Sequence, residues 1–134
     1  MGRLLGLDYG SKRIGVAISD SSRLIASPYA VIEASRVLAG LDEILAAEEI
    51  ETIVVGLPIS LSGEEGASAA AARSLGRRVA EHTGLEVVYV DERFTTKVAE
   101  EALIAGGVRR ARRRDIRDKM AATVMLQGHL DSLR

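Results

Sequence analysis

Residues 3 to 20 read RLLGLDYGSKRIGVAISD, two short apolar runs, 3 to 9 and 14 to 20, separated only by GSKR. A break that short, led by glycine, predicts that the chain doubles back, so the first two elements form an antiparallel hairpin with a tight turn. A third strand is expected over 24 to 32, with Pro28 best tolerated at a sheet edge. From Ser35 the period changes. Val37, Leu38, Leu41, Ile44 and Leu45 recur at helical intervals, with Ser35 in the N-cap position.

The remainder alternates. ETIVVGLP is a short buried strand stopped by Gly56 and Pro58; ISLSGEEGAS is a polar loop; the alanine-rich run to about His82 is a second helix with Gly84 as its C-cap. LEVVYVDER is a further strand ending on carboxylates. Thr95 or Thr96 caps a third helix that ends at Gly106 and Gly107. The basic VRRARRRDIRD then leads into a last helix whose apolar face carries Ala121, Ala122, Met125 and Leu126. Three strands in succession followed by alternating helices and strands predict an α/β fold, a mixed sheet with helices on its faces.

Composition sets the bounds. At 134 residues the chain supports one domain, taken as 1–134. Hydrophobic residues make up 47% but aromatics only 3%, so the core must be aliphatic. No apolar run approaches the roughly 20 residues that span a bilayer, and a cytoplasmic protein is expected. Without cysteine there is no disulfide, thiolate metal site or cysteine nucleophile. Residues 107 to 134 carry eight Arg or Lys against three Asp, a local +5, and the net charge of −1 leaves −6 for the rest. An acidic body with a basic C-terminal segment suggests a polyanionic partner.

Carboxylates mark the candidate chemistry. Asp8 ends the first strand and Glu92 the strand near residue 90, at the kind of strand end where open α/β sheets bind ligands. Were those strands side by side, the two would meet and could hold Mg²⁺ or Mn²⁺, which prefer hard oxygen ligands. Asp115 and Asp118 are candidates for a third, with Asp118 on the inward edge of the last helix's apolar face. Bland readings compete: an aspartate ending a strand is often a turn residue, and of Asp91 and Glu92 only one can face the site. Arg109, Arg110, Arg112, Arg113 and Arg114 suit phosphate contacts, although a solvated loop is the commoner fate of a charge run. His82 and His129 are read as structural. No serine sits in a nucleophile elbow, and GSKRIG lacks the Lys and Ser or Thr of a phosphate-binding Walker loop.

Four segments taken together, LDYGSKRIGVAISD, IVVGLPISLSGEEG, VYVDERFTT and DKMAATVMLQ, closely resemble the YqgF (RuvX) family, nucleases of pre-16S rRNA once proposed as Holliday junction resolvases. The resemblance runs from end to end. It implies an RNase H-like fold, a five-stranded mixed sheet flanked by helices, and a carboxylate triad binding Mg²⁺ or Mn²⁺. On the matching motifs the triad is Asp8, Glu92 and Asp118, with Asp118 preferred over Asp115. Nucleic-acid contacts are expected from Lys12, Arg13, Arg93, Arg109, Arg110, Arg112, Arg113 and Arg114. The expected function is a metal-dependent endonuclease on structured RNA, acting in maturation of the 16S rRNA 5′ end, as a monomer or homodimer. Its rivals are a resolvase of branched DNA, a non-catalytic nucleic-acid-binding or transcription factor and, more remotely, a sugar-kinase-type nucleotide site.

Overall fold

The expected hairpin forms. Strand β1 (Arg3–Asp8) pairs antiparallel with β2 (Arg13–Ser19), with Leu5 opposite Ile18 and Asp8 opposite Gly15. The computed structural model describes residues 2–58, 63, 65–92 and 110–134, the last stretch as backbone only for 110–115. Strand β3 (Ala26–Glu33) adds antiparallel to β2 and lies at the sheet edge, where Pro28, opposite Ala17 beside an irregularity in the register, costs the sheet no interior hydrogen bond.

The first helix departs from its expected start. A single 3₁₀ turn, Ala34–Arg36, precedes α1 (Val37–Ala47), so Ser35 lies inside that turn and does not cap the helix. The Ala34 amide donates to the Lys12 carbonyl at 2.9 Å, tying the chain to the hairpin and forcing a tight turn before α-geometry begins. Strand β4 (Ile50–Leu57) then enters beside β1, parallel to it. Gly56 does not stop this strand; it lies within it, opposite Asp8.

Helix α2 (Ala67–Thr83) ends at Gly84, whose positive φ of 72° is the left-handed cap conformation that glycine adopts without a Cβ clash. Strand β5 (Glu86–Asp91) pairs parallel with β4 and completes the order β3-β2-β1-β4-β5. The helix expected from Thr95 or Thr96 to Gly106 lies outside the described residues. The final helix, α3, runs Arg110–Ser132. Arg110, Arg112, Arg113 and Arg114 therefore fall in its first turns, not in a loop ahead of it, as suits a stretch of good helix formers free of glycine and proline. No helix among the described residues is long and apolar enough to cross a membrane.

Strand alternation divides the core. Leu5, Leu7, Ile14, Val16, Ile53 and Val55 face α1 and α2, meeting Leu41, Leu75 and Val79. The opposite face presents Leu4, Ala17 and Val54 to Ala122, Met125, Leu126 and Leu130 of α3. That second face also carries Gly6 and Gly15, which let α3 lie almost on the backbone there. A Cβ on Gly6 would stand 3.1 Å from the Leu126 Cβ, and one on Gly15 would stand 2.0 Å from the Asp118 carbonyl oxygen.

Gly15→Ala should therefore push α3 off β2 and lower unfolding free energy by about 1–3 kcal/mol. Gly128→Ala, in the same helix but with nothing within 4 Å of its added methyl, should raise it by about 0.5–1 kcal/mol. Paired urea denaturations check both signs.

Candidate active site

Asp8 stands in a row of paired residues, Gly15–Asp8–Gly56–Val90, running across β2, β1, β4 and β5. Counting by twos from Leu4 and Gly6 puts its side chain on the α3 face, at the C-terminal end of β1. Beyond Asp91 the chain keeps pairing, since the Glu92 amide donates to the Leu57 carbonyl at 3.1 Å. Parity with Val90 sends Glu92 to the same face as Asp8, buried, while Asp91 is exposed.

Asp8 and Glu92 do not come from neighbouring strands, because β4 lies between them. They meet across it because Gly56 has no side chain: a Cβ there would stand only 2.5 Å from Glu92 Oε2 and 2.6 Å from its Cδ. Sequence reasoning took Gly56 for a strand stop and so missed its role. The signal available was a glycine between β-branched valines and a leucine, a place where a strand gains nothing from glycine unless something must approach its backbone.

The third carboxylate arrives by the same device. Gly15, on the other flank of Asp8, admits the α3 backbone at Asp118. The Asp118 side chain is 18% exposed, and its Oδ2 accepts a 2.8 Å hydrogen bond from the Nε of Arg13, a residue that shares the face of Gly15. Arg13, expected as a nucleic-acid contact, is in this structure paired with Asp118. Lys12 is exposed on the hairpin. Arg93 and Arg109 lie outside the described residues, as do the side chains of Arg110, Arg112, Arg113, Arg114 and Asp115. Neither histidine joins the cluster: His82 bonds Asp42 at 2.8 Å, and His129 is half-buried, with its pKa lowered by that burial.

The electrostatics are those of crowded acids. Burial, then the Asp8 charge and the hydrogen bond with Asp8, then the more distant Asp91, push the Glu92 carboxyl up to about 10. Asp8 is also raised, by burial first and additionally by the Asp118 charge, against the lowering effect of its hydrogen bond with Glu92. Glu92 thus holds a proton at neutral pH and shares it with Asp8. Its Oε2 nevertheless has no hydrogen-bond partner, an orphaned acceptor of the kind that a cation or donor satisfies. The two hard oxygen donors fit a divalent ion. In the conformation described, with Asp118 turned to Arg13, no three acidic or histidine side chains among the described residues stand together closely enough to share one.

An aspartate at the end of a strand does not by itself make a site, as a second one shows. Asp20, after β2, is half-buried and accepts bonds from the Ser22 hydroxyl and the Leu24 and Ile25 amides, which hold its carboxyl near 2. It realises the turn-residue reading; Asp8 does not.

Comparison with known proteins identifies the family and the fold. The model of the family described as "RuvX: Holliday junction resolvase" matches residues 2–132. The chain belongs to the RuvX family. Among its relatives, one from Symbiobacterium thermophilum is 45% identical over 97% of this chain and 92% of its own. Another, from Lactococcus lactis subsp. lactis, is 43% identical over 97% and 94%, and one from Agathobacter rectalis is 38% identical over 98% and 96%. Each bears the name "Putative pre-16S rRNA nuclease". The RuvX chain also shares its fold with Thermus thermophilus RuvC in complex with a Holliday junction substrate, at a TM-score of 0.59 and 18% identity over 99% of this chain and 96% of that one. Fowlpox virus resolvase with its junction DNA gives 0.56 and 11%, over 98% of each chain. The fold is RNase H-like, as the resemblance implied. Resolvases and nucleases alike are hydrolases of phosphodiester bonds, and this RuvX chain is an enzyme of that class.

Because the folded state holds the Glu92 proton up to about pH 10 while an unfolded glutamate releases it near 4.5, the native state binds more protons across that window. Stability should therefore fall as pH rises from 5 to 9. Glu92→Gln, which keeps a donor for Asp8 and cannot ionise, should flatten the slope and exceed wild type in Tm at pH 9. Thermal melts of both proteins at several pH values check this.

Proposed function

We propose that this chain is a divalent-metal-dependent endonuclease that cuts structured RNA in the cytoplasm, with a 16S rRNA precursor as substrate, and that Asp8, Glu92 and Asp118 are its metal-binding and catalytic residues. The observation that carries the reading is the buried Asp8–Glu92 pair at the strand ends, two acids pressed together over Gly56 with an oxygen left unpartnered. Such an arrangement destabilises the fold at neutral pH and is explained by a ligand that favours negative charge.

Asp8 and Glu92 would hold Mg²⁺ or Mn²⁺, with Asp118 as the third carboxylate. A divalent ion in such a site supplies a nucleophilic water at neutral pH and offsets charge on the leaving oxygen of a phosphodiester. To serve as a ligand Glu92 would release its proton to water, and Asp8 would keep its place because its strand is paired on both sides. Lys12, exposed on the hairpin, and the arginines opening α3 are suited to hold phosphates. Contacts of that kind position a nucleic acid without reading its sequence.

The RNA substrate rests on the relatives' shared name, whereas the family description and the two solved junction complexes favour a second reading, branched DNA. Cleavage of a 16S precursor and of a synthetic four-way junction, with Mg²⁺ or Mn²⁺, separates them. Site-specific cutting of the RNA alone is expected, and paired symmetric cuts in the junction alone would reverse the assignment. Asp8→Asn should lower cleavage by roughly 100-fold or more, exceeding the effect typical of residues that merely support a ligand. Since it removes a buried charge, its Tm should match or exceed that of wild type. Full turnover by the folded variant would remove Asp8 from the mechanism.

A further inference from the structure

The Arg13–Asp118 ion pair joins the two parts of the molecule that the proposed reaction needs separately. Arg13 opens β2 at the hairpin, on the α3 face, two residues before the glycine on which Asp118 rests. Its Nε lies 2.8 Å from Asp118 Oδ2, and the arginine side chain is 32% exposed, so the pair is open to solvent on the arginine's side. A carboxylate oxygen that accepts a guanidinium hydrogen bond has a lone pair and a charge already engaged. A cation ligated by that oxygen would stand close to a second positive charge, which Coulomb repulsion opposes at this range. Asp118 therefore cannot serve both partners fully.

Arg13 has somewhere else to go. With Ser11, Lys12, Ala34, Ser35 and Glu33 it lines a cleft of about 420 Å³ beside the hairpin, a ligand-sized volume. Two hydroxyl groups and the Lys12 ammonium make the cleft suited to a phosphodiester, with Glu33 opposing at its rim.

We propose that Arg13 is a latch on Asp118: arginine and divalent cation are alternative partners of that carboxylate, and the displaced guanidinium takes a phosphate of the nucleic acid in the neighbouring cleft. The latch rests on the metal-site reading above and deepens it. Metal binding and nucleic-acid binding become positively linked, because each favours the arrangement in which the ion pair is open, and the linkage is reciprocal. Arg13 is thus a positioning residue toward the metal and a contact toward the substrate.

The two roles predict opposite effects from one substitution. By calorimetry on the full chain, Arg13→Gln should bind Mn²⁺ roughly 2- to 5-fold more tightly than wild type, the worth of one partly exposed ion pair. Arg13→Lys, which keeps a competing charge, should lie between them. In an Asp118→Asn background Arg13→Gln should bring no gain, since the carboxylate it frees is gone. A gain that persists there would be a general charge effect and would overturn the latch. Weaker or unchanged Mn²⁺ binding by Arg13→Gln would overturn it too, leaving Arg13 a structural brace.

The second arm uses a nuclease-resistant phosphorothioate RNA hairpin, titrated with EDTA or with Mn²⁺. Arg13→Gln should bind it more weakly and with a salt dependence shallower by about one phosphate contact. The tightening that Mn²⁺ brings to wild type should shrink in the variant, and undiminished tightening would overturn the linkage. Failure of the underlying reading appears without any arginine variant: Mn²⁺ binding unaltered by Asp8→Asn would show that the site itself is elsewhere, and the latch would fall with it.

Discussion

On either flank of Asp8 the sheet carries no side chain, and that gap governs both the packing of α3 and the arrangement of the acids. At Gly56 the missing side chain leaves room for the Glu92 carboxyl; at Gly15 it leaves room for the backbone of a whole helix at Asp118. Neither approach survives a methyl group without movement of backbone or of a buried carboxylate. Glycine is a poor strand former, so both positions weaken the sheet locally and return that loss as proximity between residues more than 80 positions apart. The aliphatic core on the opposite face, where Leu5, Leu7, Ile53 and Val55 pack against α1 and α2, gives the sheet the stability that such a local weakness requires.

The acids on this floor are held together against their mutual repulsion. Burial raises Glu92 and Asp8, and Asp118 adds its field to Asp8. A single proton between Asp8 and Glu92 and a single guanidinium at Asp118 offset two of the three negative charges. Acids such as Asp20 are spent on a turn where hydroxyl and amide donors satisfy them, whereas here a buried oxygen is left without a partner and structure is set against stability. That is the expected cost of a site shaped for a charged ligand.

Much of the architecture was legible in the sequence because its signals are local. The GSKR break fixes a hairpin, Pro28 belongs on an edge strand, and Gly84 ends a helix in the left-handed conformation; each acts within a few residues. Ser35 misled because a capping residue is judged from the helix it precedes, whereas here a hydrogen bond from Ala34 to distant Lys12 reshaped the entry. The acids Asp8 and Glu92 were legible as strand-end residues, and the face each takes follows from parity. What could not be read was their route to one another. Periodicity says which face a side chain takes and nothing about which strand lies between, so Gly56 looked like punctuation. The partnership of Arg13 with Asp118, 105 positions apart, has no local signature at all.

The helix that brings the third carboxylate is also the one that covers this face of the sheet, through Ala122, Met125, Leu126 and Leu130. Covering the core and completing the acid cluster are consequently one event. In chain order α3 follows every strand of the sheet, so during synthesis the sheet can assemble while Asp118 has yet to arrive. A growing chain would carry at most two of the three acids, on a face still open to water. A nuclease that used all three acids would by this order of events reach its full set of carboxylates only when its last helix docks, after the ribosome making it has delivered that segment.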